Sequence, residues 1–274
     1  MDLTFYTSMQ ESFSTLRAKK SPEEVKDFDN HLDYSKYLHH HNFHELYFLL
    51  DGSRSYIIED ELISVNKYDC IIVKKDTLHK TFGGNGFDRF LIYFKDEYCK
   101  RYITPEFNEY INKIFTVKKI SLTPGDFYKI KLLLKQLESE TDIKQCITFL
   151  NIIDILTDNI GNTQTSSNDL ISDIAEYVNV HFKELSSLEE IANEFLISKE
   201  HLCRIFKNKF GISIITYLNT IKIKYSCQLL TSTDMNITDI SIECGFNTPN
   251  YFCRIFKRIM GCTPKEYKRR TTAL

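Results

Sequence analysis

The chain has 274 residues, a net charge of −2 and a hydrophobic fraction of 42%, which is typical of a protein with buried cores and long enough for two domains. No stretch has the roughly 18 apolar residues that a membrane span needs, and the N-terminal residues lack a signal-peptide pattern. We therefore expect a cytoplasmic protein with no membrane partner. Its 8 cysteines include no CxxC pair, so we expect reduced thiols rather than a disulfide framework.

Charge is distributed unevenly along the chain. From Leu170 to Leu274 there are 14 Lys and Arg against 11 Asp and Glu, whereas the preceding residues carry 21 against 26. The stretch Gly245–Arg270 alone holds 7 basic residues and 1 acidic residue. A solvated face is the plain interpretation of such a stretch, but basic residues gathered on one side of helices are the footprint of nucleic-acid binding.

The first half of the chain is rich in β-forming residues. Short apolar runs bounded by turn residues predict strands at 44–50, 54–58, 61–65, 70–75 and 87–94. Asp51-Gly52 predicts a hairpin turn between the first two runs, because such a turn needs positive φ. Close, regular spacing of short strands indicates an antiparallel sandwich or small barrel.

Helical periodicity begins after these strands. Residues 106–115 have a helical pattern, and residues 117–122 are a candidate last strand. Thr123 with Asp126 resembles a capping box, and Pro124 stands at the first helical position. Apolar stripes follow in this helix and in a second one near 143–160. Such helices could pack on the sheet or on a second subunit, and periodicity does not distinguish these; we favour a dimerisation hairpin at 123–162.

A repeated pentapeptide marks the last third of the chain. CRIFK occurs at 203–207 and again at 253–257, each time after a short helical pattern and a turn. Gly211 and Gly261 are expected to end the helices that contain it. Helix, short turn and helix form the helix-turn-helix shape, and here the second copy has one additional residue in its turn. A helical pattern over 213–230, about 27 Å long, joins the copies.

The two repeats predict two DNA-reading helices. Leu202, Ile205 and Phe206 are predicted to be buried, as are their counterparts in the second copy, which turns the intervening residues outward. Arg reads guanine, Lys suits phosphate, Glu accepts from cytosine and Asn fits adenine. The candidate DNA-contacting residues are Ser198, Glu200, His201, Cys203, Arg204 and Lys207, then Thr248, Asn250, Tyr251, Cys253, Arg254 and Lys257.

These residues resemble the DNA-binding domain of the AraC/XylS family of bacterial transcription regulators. The resemblance covers about 100 residues and is most specific in GFNTPNYFCRIFKRIMGCTPKEYKRR. It implies two helix-turn-helix units joined by a central helix, and binding to double-stranded DNA as a transcription factor. We expect a homodimer that contacts RNA polymerase as an activator, but the sequence leaves activation and repression open. Lys222 and Ser226 stand where the family usually has Arg and Ala, and we expect the central helix to tolerate both.

The N-terminal half is similar to the cupin-type effector domains that often precede this module. His39, His41 and Glu45 match the first cupin metal motif, and His79 falls where the second motif supplies a histidine. Such a set could bind Zn²⁺, Fe²⁺ or Mn²⁺, or it could serve as polar pocket groups without a metal. An apolar ligand pocket inside the barrel is the other expectation, with candidate lining residues Tyr47, Tyr56, His79 and Tyr93.

Together these patterns predict an α+β multidomain protein. Its expected parts are a cupin-like β-barrel effector domain at 1–122, the helical hairpin at 123–162, a polar linker at 163–169 and an all-α double helix-turn-helix domain at 170–274. The expected function is transcription regulation through sequence-specific DNA binding, in response to a small molecule whose identity the sequence leaves open. The alternative function is a cupin metalloenzyme that uses His39, His41, Glu45 and His79.

Overall fold

The computed structural model describes residues 6–7, 13–20, 37–59, 61–83, 86–98, 104–162 and 170–271. They form two compact units. The sheet unit contains the described residues of 6–20 and of 40–162, and the helical unit contains residues 37–39 and 170–271. The predicted linker at 163–169 lies outside the described residues. None of the helices described here is both long enough and apolar enough to cross a bilayer.

The sheet unit is built on antiparallel strands. The described strands are β1 Tyr6–Thr7, β2 Phe13–Lys20, β3 His40–His41, β4 His44–Ile58, β5 Glu61–Asn66, β6 Asp69–Val73, β7 His79–Phe82, β8 Phe87–Phe94 and β9 Lys119–Ser121. A seven-stranded sheet follows the order β2, β8, β4, β6, β9, and β5 and β7 pair with the second half of β4. A separate short pair joins β1 to β3.

The predicted hairpin at Asp51-Gly52 is wrong. Strand β4 runs without reversal from His44 to Ile58. Its register with β8 shifts between Leu49 and Asp51, and Gly52 has φ 89°. A Cβ at Gly52 would overlap the carbonyl oxygen of Gly86 on the partner segment. The Asp-Gly pair therefore bends one long strand. The part of β4 before the bend pairs with β6, and the part after it pairs with β5 and β7.

Alternation along β4 separates two cores. Leu46, Phe48 and Leu50 pack in the larger core, whereas Tyr47 and Leu49 face the opposite side of the sheet. The larger core also contains the apolar stripes of the helices that follow the sheet, so those stripes pack on the sheet. These helices are α1 Pro105–Asn112, α2 Pro124–Leu137 and α3 Asp142–Asp158, with short 3-10 turns at Lys113–Thr116 and Ile160–Asn162.

The start of α2 forms as predicted. The Thr123 side chain accepts a hydrogen bond from the backbone nitrogen of Asp126 at 3.1 Å, and Pro124 is the first helical residue. The hydroxyl of Thr123 also donates to the Asp126 carboxylate at 2.9 Å. The first bond satisfies one backbone N–H that a helix start leaves open, and the second holds the Thr123 hydroxyl in place, which fixes where the chain turns from sheet to helix.

The helical unit contains both predicted helix-turn-helix units. The helices of this unit are α4 Leu170–His181, α5 Leu188–Glu194, α6 Lys199–Phe210, α7 Ile214–Ser232, α8 Ile237–Glu243, α9 Pro249–Met260 and α10 Pro264–Thr271. The first helix-turn-helix unit is α5 with α6, the second is α8 with α9, and α7 joins them. The 19 residues of α7 span about 28 Å.

The two copies share their helix boundaries. Ser198 and Thr248 cap α6 and α9 by accepting from the backbone nitrogen three residues later. Gly211 and Gly261 end these helices, both at φ 73°, where glycine is favoured. The turn between helices spans residues 195–197 in the first copy and 244–247 in the second. The additional residue therefore lies in the turn, as the sequence predicted.

Candidate functional site

The outward face of α6 carries the predicted charged residues. Glu200, Arg204 and Lys207 are exposed, as is the capping Ser198. Leu202 and Phe206 are buried, but Ile205, which was predicted to be core, is only half-buried. Two of the predicted DNA-contacting residues, His201 and Cys203, are also half-buried. The face thus presents Arg and Lys to solvent between partly covered neighbours.

The outward face of α9 repeats this arrangement. Asn250, Arg254 and Lys257 are exposed, together with the capping Thr248. Tyr251 and Cys253 are half-buried at the positions that correspond to His201 and Cys203. Phe252, Ile255 and Phe256 are buried beneath them, as predicted. Both helices therefore expose one Arg and one Lys at matching positions.

An aromatic ring one turn earlier contacts the arginine of each helix. The guanidinium of Arg204 donates to His201 Nδ1, with Nη2 at 3.0 Å. The guanidinium carbon of Arg254 lies 5.2 Å from the centre of the Tyr251 ring, a cation–π distance. Tyr251 in turn accepts from Asn219 on α7 at 3.4 Å. The sequence predicted DNA contact for His201 and Tyr251; the geometry adds that these rings support the arginines.

Lys222 on α7 has a role that the sequence reading missed. Its side chain is buried, and Nζ donates to the carbonyl oxygens of Leu185 at 2.8 Å and Gly245 at 2.6 Å. Nζ also lies 5.6 Å from the centre of the Phe246 ring. Burial lowers the pKa of Lys222. Leu185 precedes the first helix-turn-helix unit and Gly245 lies in the turn of the second, so one ammonium group ties both units to the central helix.

Three of the four predicted metal-ligand residues meet inside the sheet unit. Glu45 Oε2 lies 3.5 Å from His41 Nε2 and 4.0 Å from His79 Nε2. All three side chains are buried. The fourth residue, His39, belongs to the helical unit, where its Nδ1 lies 2.9 Å from the carbonyl oxygen of Tyr37.

The opposite ring nitrogens define how these histidines point. His41 Nδ1 lies 2.8 Å from the carbonyl oxygen of Phe43, and His79 Nδ1 lies 2.8 Å from that of Thr77. A carbonyl only accepts, so each Nδ1 donates its hydrogen there; in the neutral tautomer, the Nε2 that faces Glu45 is a lone-pair acceptor. Two ring acceptors and a carboxylate therefore converge, and this donor set suits a bound cation.

The predicted pocket residues surround the same carboxylate. Tyr56 donates its hydroxyl to Glu45 Oε1 at 3.0 Å, and its ring packs against Tyr47 with centroids 5.1 Å apart. Burial raises the pKa of Tyr56 well above its usual range, and the charge of Glu45 adds to this effect. Tyr93 is half-buried and packs edge-on against Phe43, with centroids 5.0 Å apart. Glu45, His41 and His79 thus form one cluster with the candidate pocket residues.

Two buried arginines lie near this cluster, and the sequence did not predict their burial. Arg54 on β4 and Arg89 on β8 point to the same side of the sheet as Tyr47 and Tyr56. Arginine is rarely buried, so a sequence reading places it at the surface by default. Strand alternation relative to Tyr56 and Leu91 is the signal that would have placed both inside.

Comparison with known proteins gives matches in the helical unit and along most of the chain. A family model described as a helix-turn-helix domain matches residues 191–270. The HTH-type transcriptional activator RhaR of Mannheimia succiniciproducens is 25% identical over 250 residues, which are 85% of this chain and 87% of the relative. An uncharacterised HTH-type transcriptional regulator of Staphylococcus aureus is 35% identical over 108 residues; the match covers 39% of this chain and 14% of that relative.

Similar solved structures include the C-terminal domain of AraT, a response regulator from Geobacillus stearothermophilus. It is 31% identical with a TM-score of 0.37, covering 39% of this chain and 88% of that one. ToxT from Vibrio cholerae is 14% identical with a TM-score of 0.39, covering 96% and 99%. The family-model match identifies residues 191–270 as a helix-turn-helix domain, and the chain is similar to a transcriptional activator along most of its length, which agrees with its resemblance to AraC/XylS regulators.

Proposed function

We propose that α6 and α9 read two successive major grooves of one DNA duplex. The observation that carries this proposal is the equivalence of the two helices, which expose Arg204 with Lys207 and Arg254 with Lys257 at matching positions. Helix α7, which joins the two units, spans about 28 Å, close to the about 34 Å that separates groove entries on one side of B-DNA. The spacing therefore suits two simultaneous contacts.

The two helices differ in the residues that would select bases. Arg204 and Arg254 would donate to guanine, and the Lys residues one turn later would contact phosphate. Glu200 on α6 would accept from cytosine, whereas Asn250 on α9 would pair with adenine. We infer an asymmetric binding site in which each helix reads a different half.

The experiment is a titration of the full-length protein with DNA from upstream of its own gene, followed by fluorescence anisotropy at several salt concentrations. Arg204→Ala and Arg254→Ala should each weaken binding about 5- to 150-fold, the loss of one base contact. Lys209→Ala is the matched control, because Lys209 is exposed on α6 but lies about 140° around the helix from Arg204. Equal losses in all three variants, or binding that salt does not weaken, would refute the assigned faces.

We also propose a homodimer formed through the outer faces of α2 and α3. Each helix exposes an apolar pair one turn apart: Tyr128 with Leu132, and Ile143 with Ile147. Their inner faces already pack on the sheet, so these pairs form a second apolar stripe on each helix. A second copy of the same chain would bury such a stripe symmetrically.

The sheet unit is proposed to sense a small molecule. The cluster of Glu45, His41 and His79 would hold a divalent transition metal such as Zn²⁺. The backbone carbonyls of Phe43 and Thr77 orient the two rings for such a role. A bound metal would supply a Lewis-acidic point for a ligand oxygen. Because the relatives are transcriptional regulators, we propose sensing rather than catalysis at this cluster.

The relative from Mannheimia succiniciproducens is named as a transcriptional activator. By analogy, we propose that this protein activates transcription in the cytoplasm, where it would contact RNA polymerase at its target promoters. Transcription in vitro from a promoter with a bound site should rise when the protein is added. A fall in transcript under those conditions would make the protein a repressor.

A further inference from the structure

The helical unit has an apolar patch where α4 meets the turn that follows α5. The rings of Tyr177 on α4 and Phe195 in the turn pack edge to face, with centroids 5.5 Å apart. Val180 lies one helical turn after Tyr177 and is 68% exposed, and Leu196 follows Phe195 and is 94% exposed. These four residues, the α4–α5 patch, therefore gather apolar side chains of a helix and a turn at the surface.

Leu196 has a backbone conformation that leucine disfavours. Its φ is 53°, in the left-handed region, whereas the second copy has Gly245 at the corresponding position, with φ 72°. Glycine adopts this conformation without steric cost. The first copy instead combines backbone strain with an apolar side chain that is exposed to water. Strain and exposure at one residue indicate a role outside the fold itself, and contact with a partner is such a role.

The charge of the helical unit is divided along the chain. Residues 170–197, which include α4, α5 and the turn, contain 6 acidic residues and 1 lysine, a net charge of −5. Residues 198–274, which include both reading helices, contain 13 basic and 5 acidic residues, a net charge of +8. DNA phosphates attract the second group and repel the first. The α4–α5 patch is therefore unsuited to DNA and suited to a positively charged partner.

Three of these glutamates lie close to the patch. Burial raises the pKa of Tyr177, and the charges of Glu194, Glu190 and Glu184 raise it further. Glu190 also accepts a hydrogen bond from the backbone nitrogen of Ser186 at 3.1 Å, so it has a part in starting α5. Glu184 and Glu194 are exposed, and they would form the acidic rim of a contact.

We propose that the α4–α5 patch is the surface that binds RNA polymerase, through a polymerase segment that carries lysine or arginine beside an apolar side chain. This inference rests on the proposed contact with RNA polymerase and names the surface and the chemistry of that contact. The apolar side chain would cover Leu196 and Val180, and the basic residues would pair with Glu184 and Glu194 at the rim. The reading helices would stay on DNA, because the patch shares no residue with their basic faces.

The test measures how tightly polymerase binds to DNA that already carries the regulator. Full-length protein is bound to a labelled fragment from upstream of its own gene, and RNA polymerase holoenzyme from the same bacterium is then titrated in. Wild-type protein should raise the affinity of the polymerase for the fragment. Leu196→Asn and Val180→Gln should each lower this gain about 3-fold or more, because burial of an apolar side chain is lost. Asparagine tolerates the left-handed conformation, so the turn is kept.

Binding of the variants to DNA without polymerase is measured first and should be unchanged. Leu196 lies two residues before Ser198, which caps α6, whereas Val180 lies on α4. If Leu196→Asn weakens DNA binding, Val180→Gln alone decides, because its position is remote in sequence from either reading helix.

Matched controls separate the patch from general effects. Ile215→Gln changes another exposed β-branched residue and should keep the gain. Ile215 lies about 160° around α7 from Tyr217, whose hydroxyl donates to Asn179 on α4 at 2.8 Å, so Ile215 faces away from α4. Glu194→Lys should lower the gain about 2- to 5-fold through the rim charge. Asp234→Lys makes the same change in charge in the loop after α7 and should keep the gain.

The outcomes distinguish this inference from the proposed function. Full gain in both Leu196→Asn and Val180→Gln would overturn the patch and leave the polymerase contact standing. Wild-type protein that binds the fragment without any gain would overturn the patch and the polymerase contact together, and groove reading would remain. A Val180→Gln variant that keeps the gain but sediments as a smaller species than wild type would assign the patch to a second copy of this chain, against the inference.

Discussion

The ammonium group of Lys222 lies 2.6 Å from the carbonyl oxygen of Gly245, in the turn of the second helix-turn-helix unit. The same group lies 2.8 Å from the carbonyl oxygen of Leu185, ahead of the first unit. A single buried donor on α7 therefore sets the positions of both reading units. These two hydrogen bonds hold α6 and α9 at a fixed distance and orientation, which the proposed binding to two successive major grooves requires.

Lys222→Met should destabilise the helical unit by about 2–3 kcal/mol, because it leaves two buried carbonyls without their charged donor. Urea unfolding of the full chain, followed by helical circular dichroism, measures this change. Lys222→Arg keeps a charged donor and should lose less than half as much. Lys265→Met removes an exposed lysine from α10 and serves as the control. A Lys222→Met variant as stable as the control would show that the bridge contributes nothing.

The turns of the two copies make a matched pair of predictions. Gly245 has φ 72°, and a Cβ there would overlap the carbonyl oxygen of Lys183. Gly245→Ala should therefore cost about 2 kcal/mol or more, since positive φ and a backbone overlap act together. Thermal and urea unfolding of the full chain measure the loss. A variant with wild-type stability would mean that the close approach to Lys183 is absent in solution.

Leu196 holds the corresponding left-handed position in the first turn, with φ 53° and 94% of its surface exposed. A branched side chain in this conformation costs about 1–2 kcal/mol, and little packing is lost when it is removed. Leu196→Gly should therefore stabilise the protein by about 0.5–1 kcal/mol after the greater entropy of unfolded glycine is counted. Urea unfolding of the full chain measures the change in the free energy of unfolding. A less stable Leu196→Gly variant would contradict the prediction and show that the leucine makes stabilising contacts in solution.

Tyr251 supports Arg254 through its ring, so its removal should weaken DNA binding without unfolding the protein. Tyr251→Leu loses a cation–π contact worth about 0.5–1 kcal/mol, which corresponds to about 2- to 5-fold in affinity. Tyr251→Phe keeps the ring and loses only the hydroxyl that Asn219 contacts. We expect the Phe variant to bind nearly as well as wild type in anisotropy titrations. Similar losses in both variants would point to the hydroxyl instead.

Charge on the outer faces of α2 and α3 should dissociate the proposed dimer. Leu132→Glu and Ile147→Glu each place a carboxylate in the apolar stripe, where burial against a second copy would cost several kcal/mol. Sedimentation of the full chain should show monomers for both. Leu16→Glu, an exposed leucine on β2, is the control and should remain dimeric. A wild-type protein that sediments as a monomer at every concentration tested would reject the interface.

Metal removal tests the cluster around Glu45. If the site holds a divalent transition metal, purified protein should contain it at near-stoichiometric occupancy, and a chelator should lower the unfolding midpoint. His79→Ala removes one converging nitrogen and should lose the metal together with the chelator effect. His181→Ala, a surface histidine of the helical unit, is the control. Metal content near zero in wild-type protein, unchanged by added Zn²⁺, would exclude the metal role.

The repeat in the helical unit was predictable because its signals are local. Ser198 and Thr248 cap their helices through hydrogen bonds that span three residues, and Gly211 and Gly261 end them through their own backbone freedom. The shared apolar spacing then fixes which side of each helix is buried. These interactions form within one or two helical turns, so the amino-acid order contains nearly all of the information.

The sheet was harder to predict because its pairing is not local. Strand β2 was not predicted, because its sequence, FSTLRAKK, is mostly polar. In the structure it pairs along its full length with β8. The Asp51-Gly52 turn signal was overridden because β8 pairs with β4 on both sides of it. Local turn chemistry allows a reversal there, but the hydrogen bonds that decide come from a distant strand.

The sequence by itself determined that there are two helix-turn-helix units, where their helices begin and end, and that they carry a basic face, because caps, stops and helical periodicity act between neighbours in the chain. Only the tertiary structure decided that Lys222 bridges both units, that Glu45 meets His41 and His79, and that Arg54 and Arg89 share the ring of Phe87. Those contacts join side chains from different elements. Their distances follow from how strands and helices pack, which short-range patterns do not specify.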